Sequence, residues 1–393
     1  MQTATLENQS GRLAKTAGYY IAFIILGLST AALGPTLPGL AEQTRSTLSQ
    51  VSFLFATRAS GYLLGSLLAG RLYDRLPGQR VMAFMLLIMA AALALLPGIP
   101  MLWLLAGVLL ILGTGEGALD VGANTLIVWV HREKVGPFMN GLHFFYGVGA
   151  FLSPLIFAQA ILLSGGIAWG YRLLALLVLP VALYTYLQPS PAHLGRAEDG
   201  TLAPLKVGLV LAIGIFFFLA VGLEGAFGGW VYTYARQLNL GDAVTAAYLT
   251  SAYWGALTIG RLIGIPLSIR FQPSKLILAD VIGCLLSLAV ILIWHDSRTA
   301  LWLGSLGLGI SIASIFPNTL SFAGQHMPIT GKVTSLFFVG ASLGGMFFPW
   351  FIGQLIEPFG ALSVMWVLAT VGLLALGVYA WMIASARRVD AEQ

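Results

Sequence analysis

The sequence predicts an all-α integral membrane protein: twelve transmembrane helices arranged as two parallel six-helix repeats around a central cavity. Three observations carry that expectation. Of 393 residues, 58% are hydrophobic and 9% charged, with a mean hydropathy of +0.88, which excludes a soluble fold with a polar exterior. The apolar runs are long and lack strand-like alternation, and a helix bonds every backbone group within its own segment. Finally, the chain repeats itself. Gly113 to Leu126 reads Gly-Thr-Gly-Glu-Gly-Ala-Leu-Asp-Val-Gly-Ala-Asn-Thr-Leu, and Gly307 to Leu320 repeats its Gly-x-Gly and, after the same eight-residue gap, its Asn-Thr-Leu, at an offset of 194. Gly149 through Pro154 and Gln159 recur as Gly344 through Pro349 and Gln354, and Gly65 and Arg75 as Gly260 and Arg270, at an offset of 195. Agreement at three helix pairs marks a duplication. Each unit starts after an even number of spans, so the repeats are parallel, related by an axis along the membrane normal, with a cavity between them.

Twelve runs are long enough to span, at about 17–40, 48–70, 80–99, 102–130, 135–163, 168–187, 206–235, 243–269, 275–294, 299–324, 332–356 and 361–385. They divide the chain into an N-terminal bundle at 1–187, a linker at 188–205 rich in Pro, Gly and charge, and a C-terminal bundle at 206–393. Basic residues set the expected orientation. One side collects Arg12, Lys15, Arg71, Arg75, Arg80, Arg132, Lys134, Arg196, Lys206, Arg270, Lys275, Lys332, Arg387 and Arg388, against Arg45, Arg172, Arg236 and Arg298 on the other. The richer side holds both termini and is expected to be cytoplasmic, in a plasma membrane of the bacterial inner-membrane type. The net charge of +5 thereby reads as a topology signal, not as affinity for nucleic acid.

The first span exceeds a signal-peptide core and is expected to stay as a helix, with Ser29 and Thr30 as its central polar groups. The Asn8-Gln-Ser10 sequon lies on the cytoplasmic side and is expected to be silent. The second span buries Arg58 near mid-membrane, and Gly70, Asp74, Arg75 and Arg80 follow at its end. In the fourth, Glu116, Asp120 and Asn124 stand four residues apart, a spacing that places all three on one polar stripe. Such a stripe faces protein or water, because an ionisable group facing lipid costs about 2.5 kcal/mol or more. Asp120 and Glu116 are therefore the expected ion-coupling groups, by protonation or by holding Na⁺ with Asn124; either one is also a candidate ion-pair partner for Arg58.

The fifth span offers His143 as a proton relay or sugar ligand, and Gln159. In the seventh, Glu224 is a third coupling candidate, set before Gly225, Gly228, Gly229 and Trp230 in a stretch expected to break and let backbone approach a ligand. The eighth holds Trp254, deep enough to stack on a sugar ring, with Trp230 of the seventh a weaker candidate for the same role, and Arg261, expected to snorkel or to pair with an acid. In the ninth, Cys284 reads as a small apolar residue. Asn318 in the tenth and Gln354 in the eleventh, like Asn124 and Gln159, offer both donors and acceptors for a polyhydroxylated substrate, or bonds between helices. Trp103, Trp129, Trp169, Trp294, Trp302 and Trp381 fall near span ends, as an interfacial belt requires.

The loop Gly70, Asp74, Arg75, Gly78 and Arg80 resembles the cytoplasmic motif of the major facilitator superfamily, with Pro77 as one inserted residue and Gln79 in place of one basic position. The resemblance implies that fold, and a latch in which Asp74 and Arg75 bond across the two bundles in one state. Gly113 to Leu126, Leu142-His143 through Pro154, Glu224 to Trp230, Tyr253-Trp254 through Arg261, and Ile315-Phe316-Pro317 resemble the fucose-permease branch and its sodium-dependent glucose transporter relatives. That narrower resemblance implies a cation-coupled importer of a monosaccharide, with H⁺ or Na⁺ as coupling ion and no organic cofactor or resident metal. The expected partners are a small-molecule substrate, a sugar, and the lipid bilayer, with no nucleic acid and a monomeric state. The alternative is an exporter of drugs or other small organic metabolites by H⁺ antiport, although the usual Arg early in the fourth helix and the Gly-Pro run in the fifth are absent. A non-transporting receptor is disfavoured by the cost of retaining intramembrane charges. An enzyme is not expected, since no nucleophile stands near a base and no phosphate-binding loop follows a strand.

Overall fold

The computed structural model describes residues 9–192, 206–327 and 331–391; the Asn8 sequon and most of the expected linker lie outside them. Fifteen α-helices follow in order: α1 Gln9–Thr30, α2 Leu33–Thr44, α3 Leu48–Val51, α4 Phe53–Arg75, α5 Gly78–Leu95, α6 Leu102–His131, α7 Val135–Ser164, α8 Ala168–Leu187, α9 Val207–Gln237, α10 Ala243–Arg270, α11 Pro273–Ile293, α12 Arg298–Ile312, α13 Ile315–His326, α14 Gly331–Phe359 and α15 Leu362–Ala391. Among the described residues there is no strand. Twelve helical stretches are long and apolar enough to cross a membrane. Leu163, Leu176 and Leu286 stand exposed on the outside, as lipid-facing side chains do. Trp103, Trp169, Trp294 and Trp381 are exposed near span ends, where an aromatic belt belongs.

Glycine sets the closest helix approaches. Between α4 and α6, a Cβ at Gly61, Gly65, Gly113 or Gly117 would lie 2.0, 2.0, 2.1 and 2.0 Å from the carbonyl oxygens of Leu110, Thr114, Arg58 and Tyr62. Each helix thus carries a Gly-x-x-x-Gly face laid on its partner's backbone. The same device joins α1 to α7 through Gly27 and Gly149, and α9 to α14 through Gly340 and Gly344. Several of these glycines are the ones that recur at the repeat offset: Gly65 and Gly149 in the first unit, Gly344 in the second, and Gly260 against Ile310 of α12.

Besides a one-residue turn at Ser52 near the start of the second span, two spans are interrupted, and neither is the one expected. The seventh is a continuous helix from Val207 to Gln237, because its glycines keep their N–H groups and are used for packing: Gly228 against Trp254, Gly229 against Phe55. The breaks fall instead at Ala31–Ala32 in the first span and Ala313–Ser314 in the tenth. Pro35 and Pro317 lie four residues beyond Ala31 and Ala313, so those carbonyls lose their helical donors.

The bundles meet along α7 and α10, α4 and α14, and α2 and α9. They are tied in the halves remote from the face that carries both termini. There Ser49 Oγ donates to Gln354 Oε1 at 2.8 Å, Gln354 Nε2 donates to Ser52 Oγ at 3.0 Å, and Gln159 Nε2 donates to Tyr248 at 2.9 Å. Gly34 lies against the backbone of Gly228 and Gly229. Toward the terminal face the helices part: Ile265 through Arg270 of α10 are exposed at every position. Leu67, Gly70, Arg71, Asp74 and Arg75 of α4 line a recess of about 390 Å³ there.

Candidate functional site

Half-way along the bundle, α6 presents its polar stripe to α4, and the glycine contacts place Arg58 and Tyr62 opposite it. Arg58 Nε donates to Glu116 Oε2 at 2.9 Å and one terminal nitrogen to Oε1 at 2.7 Å, a bidentate pair of the geometry guanidinium favours. The other terminal nitrogen donates to the Thr30 carbonyl at 3.0 Å, on the edge of the break in the first span. Ser29 Oγ completes the cage, donating to Glu116 Oε1 at 2.5 Å. Glu116 is 1% exposed. The structure therefore decides which acid Arg58 takes, and three spans are joined at one guanidinium.

Asp120, one turn further on, is held differently. The Tyr62 hydroxyl donates to its Oδ2, and Asn124 Nδ2 donates to Oδ1 at 2.9 Å. Among the described residues no ion pair to Asp120 is found, in contrast to Glu116 and Glu224. Asp120, Tyr62 and Asn124 remain partly exposed at mid-membrane depth, so this stripe opens onto the interior cavity.

Across the cavity Arg261 of α10 lies 3.7 Å from Glu224 of α9, with both side chains partly exposed. His143 of α7 faces the same space: it is exposed although mid-helix, edge-on to Phe23, and close enough to Arg261 to feel its charge. Tyr146, one turn along, sits beside Thr30 and within electrostatic reach of Arg58, Arg261 and Glu224. These groups form one polar belt: an ion pair and a second carboxylate on the first bundle, an ion pair on the second, and the tyrosine and histidine between them.

Other expected ligands are placed elsewhere. Trp230 is fully buried, and its indole N–H donates to the Pro349 carbonyl at 2.8 Å, so it serves helix packing on the remote side of the cavity. Trp254 packs on Gly228 and Tyr253 and is 6% exposed. Gln159 and Gln354 tie the two bundles together in the remote halves. Asn318 is buried on α13. Gly70, Asp74 and Arg75 line the recess at the terminal face, and Arg80 is exposed at the start of α5. Sequence reasoning passed over Tyr62 and Tyr146. Tyr62 carried a signal, standing four residues after Arg58 and so on the same helix face. A further acid in an apolar run, Asp280 of α11, was also passed over.

Comparison with known proteins agrees with this architecture. The sodium-dependent glucose transporter 1 of Xenopus laevis is 30% identical over 358 residues, covering 84% of this chain and 73% of its own length. Two solved structures share the fold: the nucleoside transporter NupG (D323A mutant), with a TM-score of 0.78, 13% identity and coverage of 95% and 99% of the two chains, and a D-xylose-proton symporter, with 0.77, 15%, and 93% and 97%. Twelve spans in two bundles about a polar cavity, with residues 19–338 matching the sequence pattern of that family, place this chain in the Major Facilitator Superfamily.

Proposed function

We propose that this protein is a cation-coupled monosaccharide symporter working by alternating access. Its two bundles, joined by the linker at 188–205, rock about the polar belt, and both termini lie in the cytoplasm. On that orientation the cavity described here opens inward. One observation carries the reading: both glutamates of the belt face an arginine, whereas Asp120 is held only by the neutral donors Tyr62 and Asn124. An acid without a fixed counter-charge in a low-dielectric site gains by binding a cation, so ion binding and substrate binding can share one free energy. The relatives named sodium-dependent glucose transporters support a sugar as substrate and Na⁺ as the first ion to try. Tyr146, His143, Asn124 and the partly exposed Glu224–Arg261 pair supply donors and acceptors suited to hydroxyl groups.

The test is glucose uptake into proteoliposomes with a Na⁺ gradient and a pH gradient imposed separately, for the native protein and Asp120→Asn. Accumulation by the native protein under one gradient, lost in the variant, is the expected result and names the ion. Accumulation by the variant equal to native would make Asp120 structural and move the coupling role to Glu224. If neither gradient nor exchange moves sugar, the substrate assignment falls.

A further inference from the structure

Asp280 sits partly exposed in the ninth span, where an ionised carboxylate is costly unless something answers it. What answers it comes from the break in the tenth span. Ser314, in the gap between α12 and α13, donates its hydroxyl to Asp280 Oδ2 at 2.5 Å. The Asn318 side chain lies beside the same carboxylate. It is 3% exposed, and its Nδ2 has no hydrogen-bond partner. Among the described residues no basic side chain pairs with Asp280. The repeat gives this cluster a counterpart: at the offset of 194, Ser314 and Asn318 stand where Asp120 and Asn124 stand in the first unit. Each half therefore sets a carboxylate beside the repeated asparagine, from the same helix in the first unit and from the neighbouring helix in the second.

We propose that Asp280, Ser314 and Asn318 form a second cation site, for Na⁺, at the break in the tenth span. The available ligands are oxygens, as a hard cation requires: the Asp280 carboxylate, the Ser314 hydroxyl, the Asn318 amide oxygen once the amide turns, and the Ala313 carbonyl, which Pro317 deprives of its helical donor. The C-terminal end of α12 adds the negative end of a helix dipole, the combination by which interrupted membrane helices hold Na⁺. A proton would need the carboxylate alone and would leave the other oxygens without a use.

The site concerns binding and does not depend on the substrate assigned above, so its test uses no sugar. Thermal unfolding of the purified protein is followed in NaCl against choline chloride at equal ionic strength, at two pH values, for the native protein, Asp280→Asn, Ser314→Ala and Asp120→Asn. The expected result is a two-component rise of the midpoint with Na⁺, of which one component survives in Asp120→Asn, is lost in Asp280→Asn, and needs about tenfold more Na⁺ in Ser314→Ala, as for one lost charge-assisted contact. Should Asp280→Asn not fold in choline, the Ser314→Ala shift decides. The proposal is overturned by an unchanged Na⁺ response in Asp280→Asn or Ser314→Ala, by a response that disappears with Asp120 instead, by one that follows pH and not Na⁺, or by no response in the native protein.

Discussion

Arg58 is bonded through all three of its nitrogens, to Glu116 twice and to the Thr30 carbonyl once. Removing Glu116 would leave a guanidinium uncompensated at mid-membrane, a loss on the order of 3–5 kcal/mol, whereas replacing both partners by apolar residues costs far less. We therefore expect Glu116→Gln to lower the unfolding midpoint strongly and Arg58→Met with Glu116→Leu to recover most of it, measured by thermal unfolding in detergent. Asp120 should behave oppositely. Asp120→Asn keeps an amide that can accept from Tyr62, so stability should change little while coupled uptake is lost. Both acids were legible in the sequence as one stripe, but their division of labour was not. It depends on Arg58 and Tyr62 being one turn apart on another helix, and spacing within α6 carries no information about that.

At the scale of the element, glycine position is more informative than glycine content. Gly107 and Gly117 lie on the same helix, yet a Cβ at Gly107 meets nothing within 4 Å and one at Gly117 falls 2.0 Å from the Tyr62 carbonyl. Gly107→Ala should be neutral or stabilising by up to about 1 kcal/mol through helix propensity. Gly117→Ala should force α4 and α6 apart and reduce the yield of folded protein, read by monodispersity after purification. The repeat at 194–195 picks out Gly65, Gly113, Gly149 and Gly344 from the sequence alone, all of them contact glycines, but not Gly117. The helix breaks were less legible. Pro154, Pro180 and Pro266 sit inside continuous helices, so proline alone does not predict a break. At Pro35 and Pro317 a charged side chain from another span meets the interrupted turn, Arg58 at Thr30 and Asp280 at Ser314, and that partner is invisible in the local sequence.

Taken whole, the molecule is closed on one side and open on the other, and the closure rests on short polar ties such as Ser49 to Gln354. With the buried Cys284 replaced by serine, a short thiol-reactive cross-linker joining Ser49→Cys to Gln354→Cys should hold that closure and abolish uptake, with recovery on cleaving the link. An uptake rate unaffected by the cross-link would mean that these halves need not separate. The paired charges carry one more consequence, an electrical one. Arg58 cancels Glu116 and Arg261 cancels Glu224, so the empty cavity holds a single net negative charge, on Asp120, and a bound monovalent cation brings it to zero. If Asp120 couples as proposed and Asp280 keeps its own Na⁺ through the cycle, the loaded carrier would reorient without sensing voltage and the empty carrier would return bearing one negative charge. A cell interior at −100 mV would favour that outward return by up to about 2.3 kcal/mol, so the resting potential drives the cycle through the step in which nothing is carried. Transient currents recorded without sugar from protein on a supported membrane should show this displacement in the native protein and lose it in Asp120→Asn.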